Sequence, residues 1–207
     1  MPSWKWNRNW SIENNDIFKL LIDICLAYYH RKITQIFKRN CVVGKTVLEL
    51  GCGTAGETVW ILKNFPFTRA TVVDFSKKAL ERVLETKGEL AITPLFSDIF
   101  KLPLKEKFDL VHSGFVIEHF YGSKRLAVIK AHAQNVKKDG FVFIQAPGKT
   151  SLSLLYSNTI NMLNGIDEQL YEKEELLTLF KAADLEVVEC MSLFGGAVFF
   201  LLGRKRP

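Results

Sequence analysis

A glycine-rich turn constrains the fold of this chain more than any other feature. Residues 49–56 read Glu-Leu-Gly-Cys-Gly-Thr-Ala-Gly, and the apolar run 46–48 leads into them. An amphipathic helical pattern follows over residues 58–62. The segment is therefore predicted to be a strand, a tight turn and a helix. Glycines in such a turn tolerate positive φ, and they let a nucleoside-containing cofactor approach the bare backbone.

Strands and helices continue to alternate along the chain. Strands are predicted at 46–50, 70–74, 91–97, 108–113 and 141–145, and helices at 57–64, 77–86, 126–136 and 172–183. Pro94 places the third strand at a sheet edge or irregularity. Two last strands, 185–193 and 197–202, are predicted to form an antiparallel hairpin. Repeated β-α units imply a mainly parallel sheet with helices on both faces.

Two segments lie outside this alternation. Residues 12–39 have apolar positions at helical spacing, which predicts one long or two shorter helices, and Ser11 is a candidate cap. Residues 148–171 are rich in Leu and contain enough apolar positions for a short helix. The expected organisation is an N-terminal helical cover at 1–44 and a cofactor-binding domain at 45–207. Three tryptophans near the start belong to this cover: Trp4, Trp6 and Trp10.

The residue two positions before the first glycine discriminates between cofactors. Gly51, Gly53 and Gly56 fit the G-x-G-x-x-G pattern of dinucleotide sites. Glu49 argues against that interpretation, because a carboxylate would repel a pyrophosphate at the helix N-terminus. A cofactor with a cationic sulfonium and an amino group favours an acid at this position. A tight turn that binds no ligand is the third alternative.

With Glu49, Gly51 and Gly53 in this order, the chain resembles the class I S-adenosylmethionine (SAM)-dependent methyltransferases. Their first motif is acid-x-Gly-x-Gly-x-Gly, and Ala55 stands where the third Gly is usual. The resemblance covers residues 45–203. It implies a Rossmann-like, doubly wound, seven-stranded sheet with the C-terminal hairpin, and SAM as the cofactor. Cys52 lies inside the motif, where a small side chain is needed, and is counted with the cofactor residues.

The resemblance also implies roles for residues at the next strand ends. Asp74, at the end of the second strand, would bind the ribose hydroxyls, and Phe75 would pack on the adenine. Asp98, at the end of the third strand, would accept from the adenine amino group, and the backbone N–H of Ile99 would meet the ring.

Residues 112–120, His-Ser-Gly-Phe-Val-Ile-Glu-His-Phe, follow the fourth strand. In the resembled family this region lies under the methionine part of the cofactor, so Ser113 is a candidate contact. His119 is a candidate general base facing the acceptor, because an unperturbed imidazole titrates near neutral pH. Some family members bind a metal through Glu-x-x-Glu-His here. Phe115 replaces the first Glu, so no metal is expected.

The methyl acceptor is predicted less directly. Residues 115–120 and the two covering segments are apolar or aromatic, which favours a small apolar, aromatic or lipid-like acceptor. The net charge of +6 keeps RNA or a protein open as the acceptor. An NAD-type oxidoreductase and an inactive SAM-binding protein are the remaining alternatives. Nothing in the sequence indicates an oligomeric state.

The spacing of the cysteines and the lengths of the apolar runs indicate the cellular compartment to expect. The four cysteines lie far apart without a Cys-x-x-Cys, which predicts neither a zinc site nor a disulfide framework. A reducing cytoplasm is therefore expected. No secretory signal is recognisable, and no run approaches the roughly 18 apolar residues of a membrane span.

Overall fold

The computed structural model describes residues 16–164 and 168–206. The three N-terminal tryptophans and the candidate cap Ser11 lie outside this part of the chain. The helices are α1 Asp16–Arg39, α2 Gly56–Asn64, α3 Lys77–Thr86, α4 Ser123–Asn135, α5 Ser151–Asn164 and α6 Lys173–Ala182. The strands are β1 Thr46–Leu50, β2 Arg69–Asp74, β3 Ile92–Phe96, β4 Phe108–Gly114, β5 Val136–Pro147, β6 Leu185–Leu193 and β7 Val198–Lys205.

The strands form one seven-stranded sheet in the order β3-β2-β1-β4-β5-β7-β6. β1 to β5 are parallel, and β7 runs antiparallel between β5 and β6. This arrangement confirms the predicted doubly wound sheet with a C-terminal antiparallel hairpin. Pro94 lies in the edge strand β3, as expected for a residue that cannot donate to a strand neighbour. The strand order reverses between β1 and β4, which is where ligands bind in such sheets.

β5 begins earlier than the sequence predicts. Val136 already pairs with Phe108, and regular pairing resumes at Leu110 with Phe141 after a register shift. Asp139, between these pairs, has a left-handed backbone with φ 62°. The polar residues before the predicted strand therefore belong to an irregular first part of β5 rather than to the end of α4.

Apolar side chains cover both faces of the sheet. One face packs against α1, α2 and α3 through residues such as Ile36, Ile61 and Val83. The other packs against α4 and α6, where Ile129 and Phe180 are fully buried. A sheet covered on both faces leaves its strand ends as the accessible polar edges. The candidate site lies at one of these edges.

The N-terminal segment forms one helix in the described residues. Ile33, Ile36 and Phe37 of α1 are buried in the same core as β1 and β5. Of the two alternatives for residues 12–39, the described part shows a single long helix. The boundary proposed between residues 44 and 45 stays a prediction. No helix in the described ranges is long and apolar enough to cross a membrane.

The turn after β1 has an unusual backbone. Gly51 has φ 68°, and a Cβ there would lie 2.7 Å from a methyl of Val116, so only glycine fits. Ala55, which precedes α2, is left-handed with φ 55° and is fully buried. A left-handed non-glycine residue costs about 1–2 kcal/mol. The position is one that favours glycine, in agreement with the motif that the chain resembles.

Glycine substitutions should expose this strain. Ala55→Gly loses a buried methyl and gains unfolded-state entropy, but it relieves the left-handed conformation. Ala133→Gly, in the last turn of α4 and also buried, has the same costs without that relief. We expect Ala55→Gly to be more stable than Ala133→Gly by about 1–2 kcal/mol in urea unfolding. Equal losses in the two variants would show that the turn is not strained at Ala55.

Candidate functional site

A cavity of about 310 Å³ opens at the carboxyl ends of β1, β2 and β4. It lies at the point where the strand order reverses, and its volume is at the lower end of the usual range of about 300–1,000 Å³ for ligand sites. Most of the residues predicted from sequence to form the site line it: Glu49, Gly51, Cys52, Gly53, Asp74, Phe75 and His119. The structure therefore brings together residues from distant parts of the sequence.

Asp74 joins the end of β2 to the glycine turn. One carboxylate oxygen accepts the backbone N–H of Gly53 at 2.9 Å, and the other accepts that of Ser76 at 2.8 Å. Burial raises the pKa of Asp74, and these backbone N–H groups counteract the rise. Each oxygen keeps a second lone pair, so the carboxylate can still accept from vicinal hydroxyls in the cavity. Ser76 itself caps α3, as predicted.

Glu49 contributes a carboxyl group that is almost fully buried, with 5% of its surface exposed. The hydroxyl of Thr58 donates to its Oε2 at 2.7 Å. Burial raises the pKa of Glu49 to about 7, although the neighbouring His112 lowers it. A cation bound in the cavity would stabilise the ionised form. The thiol of Cys52 lies close by, and burial raises its pKa, so it stays neutral.

A buried polar cluster behind Glu49 is not anticipated by the sequence analysis. The Nε2 atom of His112 lies 2.9 Å from the Thr58 hydroxyl, and its Nδ1 lies 3.2 Å from a carboxylate oxygen of Glu57. The Gln145 amide donates to the other oxygen of Glu57. One signal in the sequence points to this cluster in retrospect: His112 is an ionisable residue in the central, otherwise apolar part of strand β4. Its partners on α2 and β5 could not be identified from spacing alone.

The segment after β4 adds aromatic side chains to the cavity. Phe115 and Phe120 line it with Val116 and His119. Phe115 has a left-handed backbone with φ 54°, which is uncommon for a bulky residue and typical of functional sites. Its ring lies 6.3 Å from that of Tyr29 on α1. α1 therefore contacts Phe115, and the covering role of the N-terminal segment stays a prediction.

A short helical turn, Ile117–His119, carries Glu118 and His119, and Glu168 from the segment after α5 lies near them. Candidate ligand atoms of Glu118, His119 and Glu168 lie within 4.8 Å of one another, so this group could hold a divalent cation. Burial raises the pKa of Glu118 well above its usual value, which favours a protonated carboxyl in the absence of a cation. Phe115 adds no further ligand. The expectation of a metal-free site stays a prediction.

Three predicted cofactor residues do not line the cavity. Asp98 is exposed, and its carboxylate accepts the backbone N–H of Phe100 at 2.9 Å. Ile99 is buried in the core. The Ser113 hydroxyl lies 2.9 Å from Nε2 of His132, on the face of the sheet covered by α4. Burial lowers the pKa of His132 to about 4, so it is neutral. The roles proposed for Asp98, Ile99 and Ser113 stay predictions.

The family follows from a sequence comparison. The profile described as "Methyltransferase domain" matches residues 25–190. The chain belongs to this methyltransferase family. The match confirms the resemblance carried by Glu49, Gly51 and Gly53, and with it the predicted enzyme class and SAM as the cofactor.

Individual relatives are more distant. A malonyl-[acyl-carrier protein] O-methyltransferase of Bacillus cereus is 26% identical over 153 residues, which cover 69% of this chain and 56% of that protein. The protein of the same name from Priestia megaterium is 26% identical over 135 residues, or 65% of this chain and 48% of the relative. The chain thus spans about half the length of these relatives.

Solved structures support the fold. Magnesium protoporphyrin IX methyltransferase from Synechocystis PCC 6803, with bound S-adenosylhomocysteine (SAH), superposes with a TM-score of 0.73 at 14% identity over 97% of this chain and 92% of that chain. A SAM-dependent methyltransferase from Clostridium acetobutylicum gives 0.69 at 15% identity over 86% and 91%.

Asp74→Asn tests the ribose role. An alanine would leave two backbone N–H groups without their acceptor, so the amide is the cleaner change. It keeps one carbonyl oxygen and loses the charge-assisted bonds to a ligand, which contribute roughly 1.5–3 kcal/mol. We expect SAH affinity to fall about tenfold or more by calorimetry. Unchanged affinity in a folded variant would rule out a contact between Asp74 and the cofactor.

Proposed function

We propose that this protein transfers the methyl group of SAM to a small apolar or lipid-like acceptor. The observation that supports this proposal most directly is the mixed lining of the cavity. The buried carboxyl groups of Glu49 and Asp74 line it beside the glycine turn, and so do the rings of Phe115 and Phe120. The carboxyl groups suit a cofactor with ribose hydroxyls and positive charge, and the rings suit an apolar acceptor.

The protein's contribution to the reaction is binding, alignment and exclusion of water. SAM supplies an activated methyl group on a positively charged sulfur. Asp74 would accept from the ribose hydroxyls, and Glu49 would face the positive part of the cofactor. Phe115 and Phe120 would keep water from the acceptor and hold it against the methyl group. Such a mechanism requires no fixed catalytic triad.

The proposed acceptor is an acyl chain that ends in a carboxyl group. The curated relatives are named for O-methylation of malonyl-[acyl-carrier protein], and an acyl group fits an aromatic pocket. RNA or a protein is the alternative, supported by the net charge of +6.

An acceptor panel tests this function. We expect SAH to form when the purified protein is given SAM with medium-chain acids or malonyl-acyl-carrier protein, and not with bulk tRNA. Parallel reactions with EDTA check the expected independence of metals, and an NADH titration checks the oxidoreductase alternative. NADH binding without SAM or SAH binding would refute the methyltransferase assignment. Turnover with tRNA and with none of the other acceptors would show that the acceptor is RNA.

His119→Gln separates two roles of the imidazole that lines the cavity. We propose His119 as the proton acceptor for hydroxyl or amine acceptors, where a general base contributes typically about 10²–10⁴-fold. A carboxylate acceptor has no proton to lose. Initial rates should therefore fall at least about 10²-fold with hydroxyl acceptors and less than tenfold with carboxylates. An equal fall on both classes would indicate that His119 orients the acceptor instead.

A further inference from the structure

The hydrogen bonds behind Glu49 restrict where their protons lie. The Thr58 hydroxyl has a single proton, which it donates to Glu49 at 2.7 Å. Nε2 of His112, 2.9 Å from the same oxygen, must then carry a proton and donate it. The other ring nitrogen, Nδ1, lies 3.2 Å from the Glu57 carboxylate, a distance at which a protonated ring forms an ion pair. With both nitrogens protonated, His112 is an imidazolium near two carboxylates, with Thr58 as the link to Glu49.

Most of this arrangement is shielded from water, and its most exposed member is the Glu57 side chain, at 18%. Thr58 and His112 have no exposed surface, and Glu49 has 5%. Gln145 of β5 donates to Glu57 and fixes the far carboxylate. Interactions between charges are stronger in such surroundings than at a surface, and an unsatisfied member would be costly. The orientation of Glu49 at the cavity wall therefore depends on Thr58 and His112, which lie outside the cavity lining.

We propose that Thr58 and His112 are positioning residues that keep Glu49 ionised, and that they thereby set the preference of the site for SAM over SAH. The inference rests on the proposed function. The two ligands differ by one methyl group and by the positive charge on sulfur. An ionised Glu49 attracts that charge, whereas a protonated Glu49 does not. After transfer the sulfur is neutral and the attraction between Glu49 and the sulfonium is lost, so SAH would bind less tightly than SAM.

The charged neighbours of this chain of contacts are consistent with the inference. Burial lowers the pKa of His112, but the Glu49 and Glu57 carboxylates outweigh it and the net shift is upward. Burial and the Glu57 and Asp74 carboxylates raise the pKa of Glu49. His112 and the Thr58 hydroxyl lower it, so the ionised form of Glu49 depends on these last two. On the outer side, His30 of α1 interacts with Glu57, and burial lowers the pKa of His30. On the opposite face of the sheet, burial and, to a smaller extent, His112 lower the pKa of His132 to about 4, so His132 is neutral.

The test compares SAM and SAH affinities, measured by calorimetry at pH 7, in a matched series. Thr58→Val keeps the shape and removes the hydroxyl that links Glu49 to His112. We expect its SAM affinity to fall about tenfold and its SAH affinity to change less than threefold. Thr58→Ser restores the hydroxyl and should restore the ratio. Thr178→Val, which removes an exposed hydroxyl on α6 bonded to the Glu174 carbonyl, is the control and should leave both affinities unchanged.

The pH profile adds a readout that a merely structural role would not produce. Without its donor, Glu49 ionises at higher pH, so the SAM/SAH ratio of Thr58→Val should rise between pH 6.5 and 8.5 more steeply than that of the wild type. If Thr58→Val does not fold, His112→Gln takes its place. Glutamine retains an amide donor without the positive charge, so this variant should also lower the ratio of SAM affinity to SAH affinity.

The outcomes are distinguishable. Equal losses for SAM and SAH, or no change in either, would overturn the inference while leaving the proposed function intact. Failure of Thr58→Ser to restore the ratio would overturn it as well. If the wild-type protein bound neither ligand, the proposed function would fail and this inference with it.

Discussion

The turn between β1 and α2 is held by the neighbouring strand, and the arrangement of the site depends on that attachment. The backbone N–H groups of Gly51 and Cys52 both donate to the Val73 carbonyl, at 2.8 and 2.9 Å. One residue further along β2, Asp74 accepts from Gly53. A side chain at Gly51 would collide with Val116 from the other side of the strand-order reversal. The turn is thus fixed between β2 and the segment after β4, and the cavity is the space left beside it.

Charge within the cavity is arranged around a ligand that carries a positive charge. Glu49 and Asp74 are both buried carboxyl groups, and burial raises the pKa of each. Asp74 is compensated by backbone N–H groups, whereas Glu49 relies on Thr58 and the His112–Glu57 pair. The pyrophosphate of a dinucleotide would lie beside carboxylates here. The geometry therefore supports the sequence argument that Glu49 disfavours a dinucleotide.

The part of the cavity lining around Phe115 is built differently, from irregular backbone rather than from strand ends. Phe115 takes a left-handed conformation immediately after β4, and its N–H donates to the Gln145 carbonyl. The segment after α5 is attached to the same region, since Tyr171 donates to the Ile117 carbonyl and the Gln169 N–H donates to that of Glu118. Such contacts leave side chains free to vary without altering the sheet. This is why the cofactor is easier to infer than the acceptor.

The sequence by itself determined the local elements, the family and the glycine turn beside the cavity. Periodicity located the strands and helices, and a short motif with Glu49 identified the turn, because these depend on residues close together in the chain. Only the tertiary structure decided that Thr58, His112 and Glu57 meet behind Glu49. It also placed Ser113 against His132 and left Asp98 outside the cavity lining. Those outcomes depend on which face of a strand a side chain occupies and on the register between distant strands. A shift of one residue in the register would move each side chain of the strand to the other face.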